Sequence, residues 1–286
     1  LYIISREWDS LFDNTYRGVD MISRSPSWFL NAEASSRMKL RLFCFPYAGG
    51  GASIFGNWKR EFPPEIKVCP VQLPGRESRA LESPLNSLPD IVHSLVSEMT
   101  PFLHSPFAFF GHSMGALIAF ETARKLYREH HVLPAHFFAS GKAAPHYTSR
   151  KKILHRLPDD QFKDELRLIE GTPEEILDND ELMQIVMPRL RSDFAVCETY
   201  VYRPEEPLSC PITVFGGAQD HEVSIDSLRA WQEHTSSEFK LQLFEGNHFF
   251  LHQQETEVID SMMHVLSSPK KPAVFRQDIA HVNGLG

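Results

Sequence analysis

Six short apolar runs recur along the chain: KLRLFCFP (39 to 46), IKVCPVQL (66 to 73), FAFF (107 to 110), AHFFASG (135 to 141), ITVFGG (212 to 217) and FKLQLFEG (239 to 246). Each is nearly continuous rather than alternating, which is the pattern of a strand buried on both faces. Longer segments with helical spacing separate them. Parallel strands need such crossovers, so the chain is expected to be α/β, a mostly parallel sheet with helices on both faces. At 286 residues it has enough material for one large core.

Between the fourth and fifth runs, residues 145 to 203 hold far more chain than a crossover needs and read as several helices, so this stretch is taken as a helical lid insertion. One helix is expected over about 159 to 170, with Phe162, Leu166 and Ile169 in register. Thr172-Pro173-Glu174-Glu175 has the form of a capping box with proline at the first helical position. Near Asp180 another helix starts, and Pro188 is expected to kink or break it before Leu190, Phe194, Cys197 and Val201 form the next stripe. After the third run, Leu117, Ile118, Phe120 and Ala123 give a helix an apolar face, with Glu121, Arg124, Lys125 and Arg128 largely elsewhere. Helices are also expected over SLRAWQEH (227 to 234) and ETEVIDSMMHVL (255 to 266). Residues 1 to 37 show no clear strand and read as an extension without an assigned role, leaving 38 to 266 as the main domain and 267 to 286 as a poorly ordered tail.

Composition removes several classes of function. A formal net charge of -8 disfavours general nucleic-acid binding. Cys44, Cys69, Cys197 and Cys210 stand far apart without a C-x-x-C pair, so neither a disulfide framework nor a zinc site is expected, and a reducing, cytoplasmic setting is. No apolar run is long enough to cross a bilayer, and no signal-peptide order is seen. Fourteen histidines form no H-E-x-x-H or comparable pair, so no metal is expected.

The third run leads into Gly111-His112-Ser113-Met114-Gly115 and then a helix. A serine hydroxyl is a weak nucleophile that needs exposure on a turn, a base and donors for an oxyanion. Strand-G-x-S-x-G-helix supplies the turn as a nucleophile elbow, and its glycines remove side chains that would meet the neighbouring strand and helix. A base belongs after a later strand, where GNHFF places His248, and an acid after the strand between them, where GGAQD places Asp220. The order Ser113, Asp220, His248 is that of α/β-hydrolases. Asp193, within the insertion, is the rival acid. For the oxyanion, Met114 N–H is one expected donor, and the glycine-rich loop PYAGGG offers Ala48 as the other, with Tyr47 and Gly49 as neighbouring choices. No G-K-[ST] follows that loop, so phosphate binding is not indicated.

With PYAGGG, QLPGRESR, FFGHSMG, GGAQD, GNHFF and, in the insertion, MPRLRSDFAVCETYVYRP, the chain resembles the type II thioesterases, free-standing editing enzymes of polyketide and nonribosomal peptide assembly lines. It is similar also to the medium-chain acyl thioesterase of animal fatty acid synthesis. The resemblance spans roughly residues 38 to 266; SGKAAPH departs from it by carrying Lys142 where the family usually has arginine. It implies an α/β-hydrolase fold and hydrolysis of acyl thioesters from the phosphopantetheine arm of an acyl or peptidyl carrier protein; no cofactor of its own is expected, and a monomer is. The insertion would then cover an acyl chamber shaped by Met183, Ile185, Met187, Leu190 and Phe194. Arg150, Lys151 and Lys152, in SRKKILHR, are candidates for steering an acidic carrier, with Arg156 nearby. Arg76, in LPGRE, reads as part of a structural turn. The rival readings are a general carboxylester hydrolase, a malonyl-type acyltransferase, which shares G-H-S-x-G but not the later acid and histidine spacing, and a silent hydrolase fold that only binds.

Overall fold

A computed structural model describes residues 27–147, 152–169 and 171–267. Every apolar run contains a strand: β1 (Leu40–Phe45), β2 (Ile66–Pro70), β3 (Phe107–His112), β4 (Phe137–Ser140), β5 (Ile212–Gly217) and β6 (Phe239–Phe244). They form one six-stranded sheet in the order β2-β1-β3-β4-β5-β6. All neighbouring pairs are parallel, with register such as Phe43 opposite Phe109 and Phe110 opposite Phe138.

Helices cover both faces: α1 (Trp58–Glu61), α2 (Leu88–Met99), α3 (Met114–His130), α4 (Asp159–Ile169), α5 (Glu174–Leu177), α6 (Asp180–Glu198), α7 (Ile225–Arg229), α8 (Phe250–Gln253) and α9 (Glu255–Ser267). Because side chains alternate along a strand, Phe43, Phe45, Phe109 and Phe137 meet Leu95 of α2, Leu117 and Phe120 of α3, and Trp231 on one face. Leu42, Cys44, Phe110, Phe138 and Phe215 meet Trp58 of α1 and Val258 and Met262 of α9 on the other. A buried Phe contributes about 1.5–3 kcal/mol, so these aromatic layers carry much of the stability.

Arg124 corrects its expected outward placement. It is buried on α3, donating to Glu121 Oε1 at 2.6 Å and to the Arg203 carbonyl at 2.6 Å, with Glu205 beside it. The helix expected over 227 to 234 is the short α7 followed by a tighter 3-10 segment, Ala230–His234.

Residues ahead of β1 pack on the sheet. Trp28, Phe29 and Ala32 are buried in the sheet's main core, and the Phe29–Val71 bridge runs antiparallel just beyond β2. Leu30 N–H donates to Pro70 O and Gln72 N–H to Trp28 O, so this segment pairs the carboxyl end of the β2 edge. Residues 1–26 and the tail from 268 lie outside the described residues.

The insertion has a small core of its own, built from Leu154, Phe162, Leu166, Ile176, Leu177, Met183, Val186, Met187 and Leu190. Two local expectations fail there. Thr172 does not cap α5: Pro173 occupies the cap position and no side chain bonds the helix start. Pro188 does not break α6, which runs through it; Gln184, whose carbonyl loses a partner, and Pro188 are both exposed, so water can satisfy that oxygen. Asn179 caps α6 by accepting from Leu182 N–H at 3.1 Å.

Candidate active site

Loops at the carboxyl ends of β1, β3, β5 and β6 bring the expected residues to one rim of the sheet, the usual site of ligand crevices in open α/β folds. Ser113 follows β3 directly, with φ 52° and ψ -114°, a conformation that L-residues adopt only under constraint from their surroundings. Its N–H donates to Ser140 O at 2.8 Å, tying the elbow to β4. The flanking glycines are sterically required: a Cβ on Gly111 would lie 2.4 Å from Gly115 O, and one on Gly115 would lie 2.1 Å from Phe45 O.

His248 and Asp220 come together from separate strands. His248 Nδ1 lies 2.8 Å from Asp220 Oδ2, and the acid's side chain is almost wholly buried. Asp220 Oδ1 accepts from Glu222 N–H at 2.8 Å and Val223 N–H at 3.2 Å, which leaves Oδ2 aimed at the imidazole. Since a carboxylate only accepts, Nδ1 carries a proton, and in the neutral ring the lone pair is on Nε2. The two loops are stitched by Gln219 N–H to Gly246 O at 3.0 Å and by Ala218 N–H to Phe244 O at 2.7 Å.

His112, which the motif reading passed over, connects the elbow to this pair. Its Nε2 is 3.0 Å from His248 O and its Nδ1 is 2.8 Å from Ser140 Oγ. A carbonyl can only accept, so Nε2–H donates to it and the Ser140 hydroxyl donates to Nδ1. Burial, then repulsion from His248, holds the His112 pKa well below the ordinary value, so the ring stays neutral. Tyr47 stacks edge-on against both His112 and Phe249 and reaches His252 Nε2 with its hydroxyl at 2.8 Å.

The glycine-rich loop lies beside the elbow. Gly50 N–H closes on Tyr47 O at 3.0 Å, and Gly49, at φ 81°, takes the third position of this turn. Gly49 N–H donates to Asp193 Oδ2 at 2.7 Å. That removes Gly49 from the candidate donors to an oxyanion. Ala48 is half-buried in the same turn; Met114 N–H opens α3, where no intrahelical carbonyl can reach it.

Asp193 does not serve His248. It lies in α6, completely buried, in a bidentate pair with Arg76 at 2.7 and 2.9 Å. Arg76 is indeed part of a structural turn, and that turn braces the glycine-rich loop: Arg76 Nη1 donates to Gly50 O, Gln72 Oε1 accepts from Ala52 N–H, and Glu77 Oε1 accepts from Ser53 N–H and Oγ–H. The signal for this lay in an arginine, a glutamine and a glutamate inside one tight turn, with nothing to say what they held.

Besides Asp193, other described residues of the insertion touch the site. Leu190 lies against Gly49, where a Cβ would come 2.7 Å from its Cδ2, and Gly171 packs on Phe249. Met183 and Met187 are buried in the insertion's own core, with Phe194 against it, whereas Ile185 is 69% exposed and does not face inward, a correction to its expected role. Val201, expected to extend the stripe, is likewise exposed.

Arg150 and Lys151 lie outside the described residues. Lys152 is exposed and paired with Glu165 of α4, and Arg156 donates to His155 Nε2. Lys142 contributes its backbone carbonyl to Trp231 Nε1 at 2.7 Å. Among the described residues no group of three His, Cys, Asp or Glu side chains is arranged to hold a metal, and no helix is long and apolar enough to cross a membrane.

The Thioesterase domain family model matches residues 40–266. Gramicidin S biosynthesis protein GrsT of Aneurinibacillus migulanus is 50% identical over 244 residues, spanning 85% of this chain and 95% of that protein. The medium-chain S-acyl fatty acid synthase thioesterase of Rattus norvegicus is 34% identical over 222 residues, spanning 76% and 83%. Among solved structures, the type II thioesterase BorB from the borrelidin biosynthetic cluster superposes with a TM-score of 0.77 at 33% identity, covering 85% of this chain and 99% of that one. A family match that runs from the first strand to the last helix, over an elbow serine and an Asp–His pair on one rim, makes this chain a member of the thioesterase family of α/β-hydrolases.

Proposed function

We propose that the chain is a type II thioesterase that frees acyl groups from the phosphopantetheine arm of an acyl or peptidyl carrier protein, with Ser113, His248 and Asp220 as its triad. The observation that carries this reading is the Asp220–His248 pair, which leaves Nε2 basic on the rim where Ser113 is displayed. Relatives named for gramicidin S biosynthesis and fatty acid synthesis support the carrier-bound thioester as substrate.

Ser113 Oγ attacks the thioester carbonyl while His248 Nε2 takes its proton. The resulting oxyanion accepts from Ala48 and Met114 N–H, each such donor being worth about 10²–10³ in rate. Collapse breaks the C–S bond, and the departing sulfur receives the proton from the imidazolium. Water then attacks the acyl-enzyme, His248 takes its proton and returns it to Ser113, and the free acid leaves. Asp220 holds the productive tautomer and stabilises the imidazolium between transfers.

Incubating the protein with a panel of acyl-phosphopantetheinyl carriers and reading released acid by mass spectrometry tests this. Ser113→Ala should lose at least about 10⁴-fold in kcat while remaining folded, since triad members act as a unit. Retention of most turnover, or faster cleavage of matched oxygen esters than of thioesters, would refute it. Docking through Arg150, Lys151 and Lys152 belongs to the same proposal. Replacing Lys151 and Lys152 by Gln should slow carrier-bound substrate several-fold, on the order of a steering effect, and spare a small soluble thioester.

A further inference from the structure

We propose that Asp193, clamped by Arg76, is a positioning residue that fixes the glycine-rich loop so that Ala48 N–H is aimed at the oxyanion; this rests on the serine-hydrolase reading above. The turn Tyr47–Gly50 has glycine with φ 81° at its third position, the geometry of a type II turn. Types I and II differ by a rotation of the central peptide, here the one joining Ala48 to Gly49. Asp193 Oδ2 accepts from the N–H of that peptide at 2.7 Å. A charge-assisted bond of that kind holds the peptide in one orientation and, through Ala48 Cα, limits the swing of the adjoining Tyr47–Ala48 peptide, which carries the proposed donor N–H. Leu190, just before it on α6, occupies the space beside Gly49 Cα. The peptide is therefore gripped from the insertion by a carboxylate and a methyl group.

Stability alone does not explain the pair. Arg76 and Asp193 are each 1% exposed, and a buried ion pair often stabilises no more than an apolar pair of similar volume. What an apolar pair lacks is an acceptor for Gly49 N–H. Among the described residues the anchors Arg76 to Gly50 O, Gln72 to Ala52 and Glu77 to Ser53 come from the turn at 72 to 77, and Tyr47 is held by His252. The Gly49 anchor comes from α6, so the insertion helps to set the oxyanion loop as well as covering it.

Two variants test this. The double variant R76M/D193L removes the charges together and keeps the volume, so the fold has no unpaired buried ion; D193N keeps the shape and one acceptor oxygen. Active sites are counted by endpoint titration with a fluorophosphonate. Turnover of a short-chain N-acetylcysteamine thioester and inhibition by octylboronic acid, whose tetrahedral adduct uses the oxyanion donors, are then measured per active site. Expected are a kcat loss of roughly 100-fold for R76M/D193L and roughly 5- to 10-fold for D193N, with KM within about twofold and boronate affinity falling in the same order. Wild-type kcat and boronate affinity per site in either folded variant would overturn the proposal, as would losses that only follow melting temperature. If R76M/D193L does not fold, D193N decides alone by the same readouts. Failure of the underlying reading looks different: the wild-type protein itself would neither react with the fluorophosphonate nor be inhibited by the boronic acid.

Discussion

His112 stands next to the elbow serine, yet its side chain serves two other strands. Its two ring nitrogens bridge the Ser140 hydroxyl at the end of β4 and the His248 carbonyl after β6. Gly141, at φ 59°, makes room for the ring, because a Cβ there would come 2.6 Å from Cε1. A neutral imidazole supplies one donor and one acceptor on its two ring nitrogens, which is what this bridge needs. In His112→Phe the His248 carbonyl and the Ser140 hydroxyl both lose partners. A cost of about 1–3 kcal/mol for each buried group left unpaired is expected, read as a lower denaturant midpoint. Loosening the base by a fraction of an ångström should also lower kcat by roughly 10-fold or more with KM little changed, checked by steady-state kinetics.

At the scale of elements, α6 explains why a proline inside a helical stripe is a poor guide to a break. The helix continues because its apolar side is held by Phe162, Leu166 and Leu177, while Pro188 and the carbonyl it leaves unpaired face water. Tertiary packing outweighs the local penalty. Pro188→Ala should restore one N–H and raise stability by about 1–3 kcal/mol, which thermal denaturation would show as a higher Tm. An unchanged or lower Tm would mean that the ring makes a packing contribution of its own. The short turn at 72 to 77 and the glycine-rich loop make the opposite case: neither contains a strand or an α-helix, and each is shaped by the other through Gln72, Arg76 and Glu77.

Across the whole molecule, histidines buried neutral make stability depend on acid. His234 lies among Phe120, Trp231 and Tyr202, with His146 Nδ1 2.6 Å from its Nε2. Burial first, then the positive charges of His146 and Arg124, lower its pKa from 6.5 to about 4. His112 is shifted the same way. As pH falls through 6.5 the unfolded chain takes up these protons and the folded one does not. The contribution of these rings is therefore fully present above pH 6.5 and is lost progressively as pH falls below it, for His234 down to about pH 4, by up to about 1.4 kcal/mol per pH unit for each ring. Urea midpoints measured between pH 8 and pH 4.5 should fall below about pH 6.5; a flat profile down to pH 5 would show that these rings already accept protons in the folded protein.

Periodicity and turn chemistry are local properties, and what depended on them was legible in the residues alone: the strands, the elbow, and the loops that carry Ser113, Asp220 and His248. A glycine at position 111 or 115 announces a close approach before the approaching atom is known. The partners of buried polar groups are not local. Arg76 meets Asp193 across 117 residues of sequence, and His112 meets the His248 carbonyl across 136. In a linear reading an arginine bound for the core looks like one bound for water, which is why Asp193 passed for a rival acid, Arg124 for a surface charge and Ile185 for a chamber wall. Only the packed structure decides these, because the free energy of a charge depends on which groups surround it once water has gone.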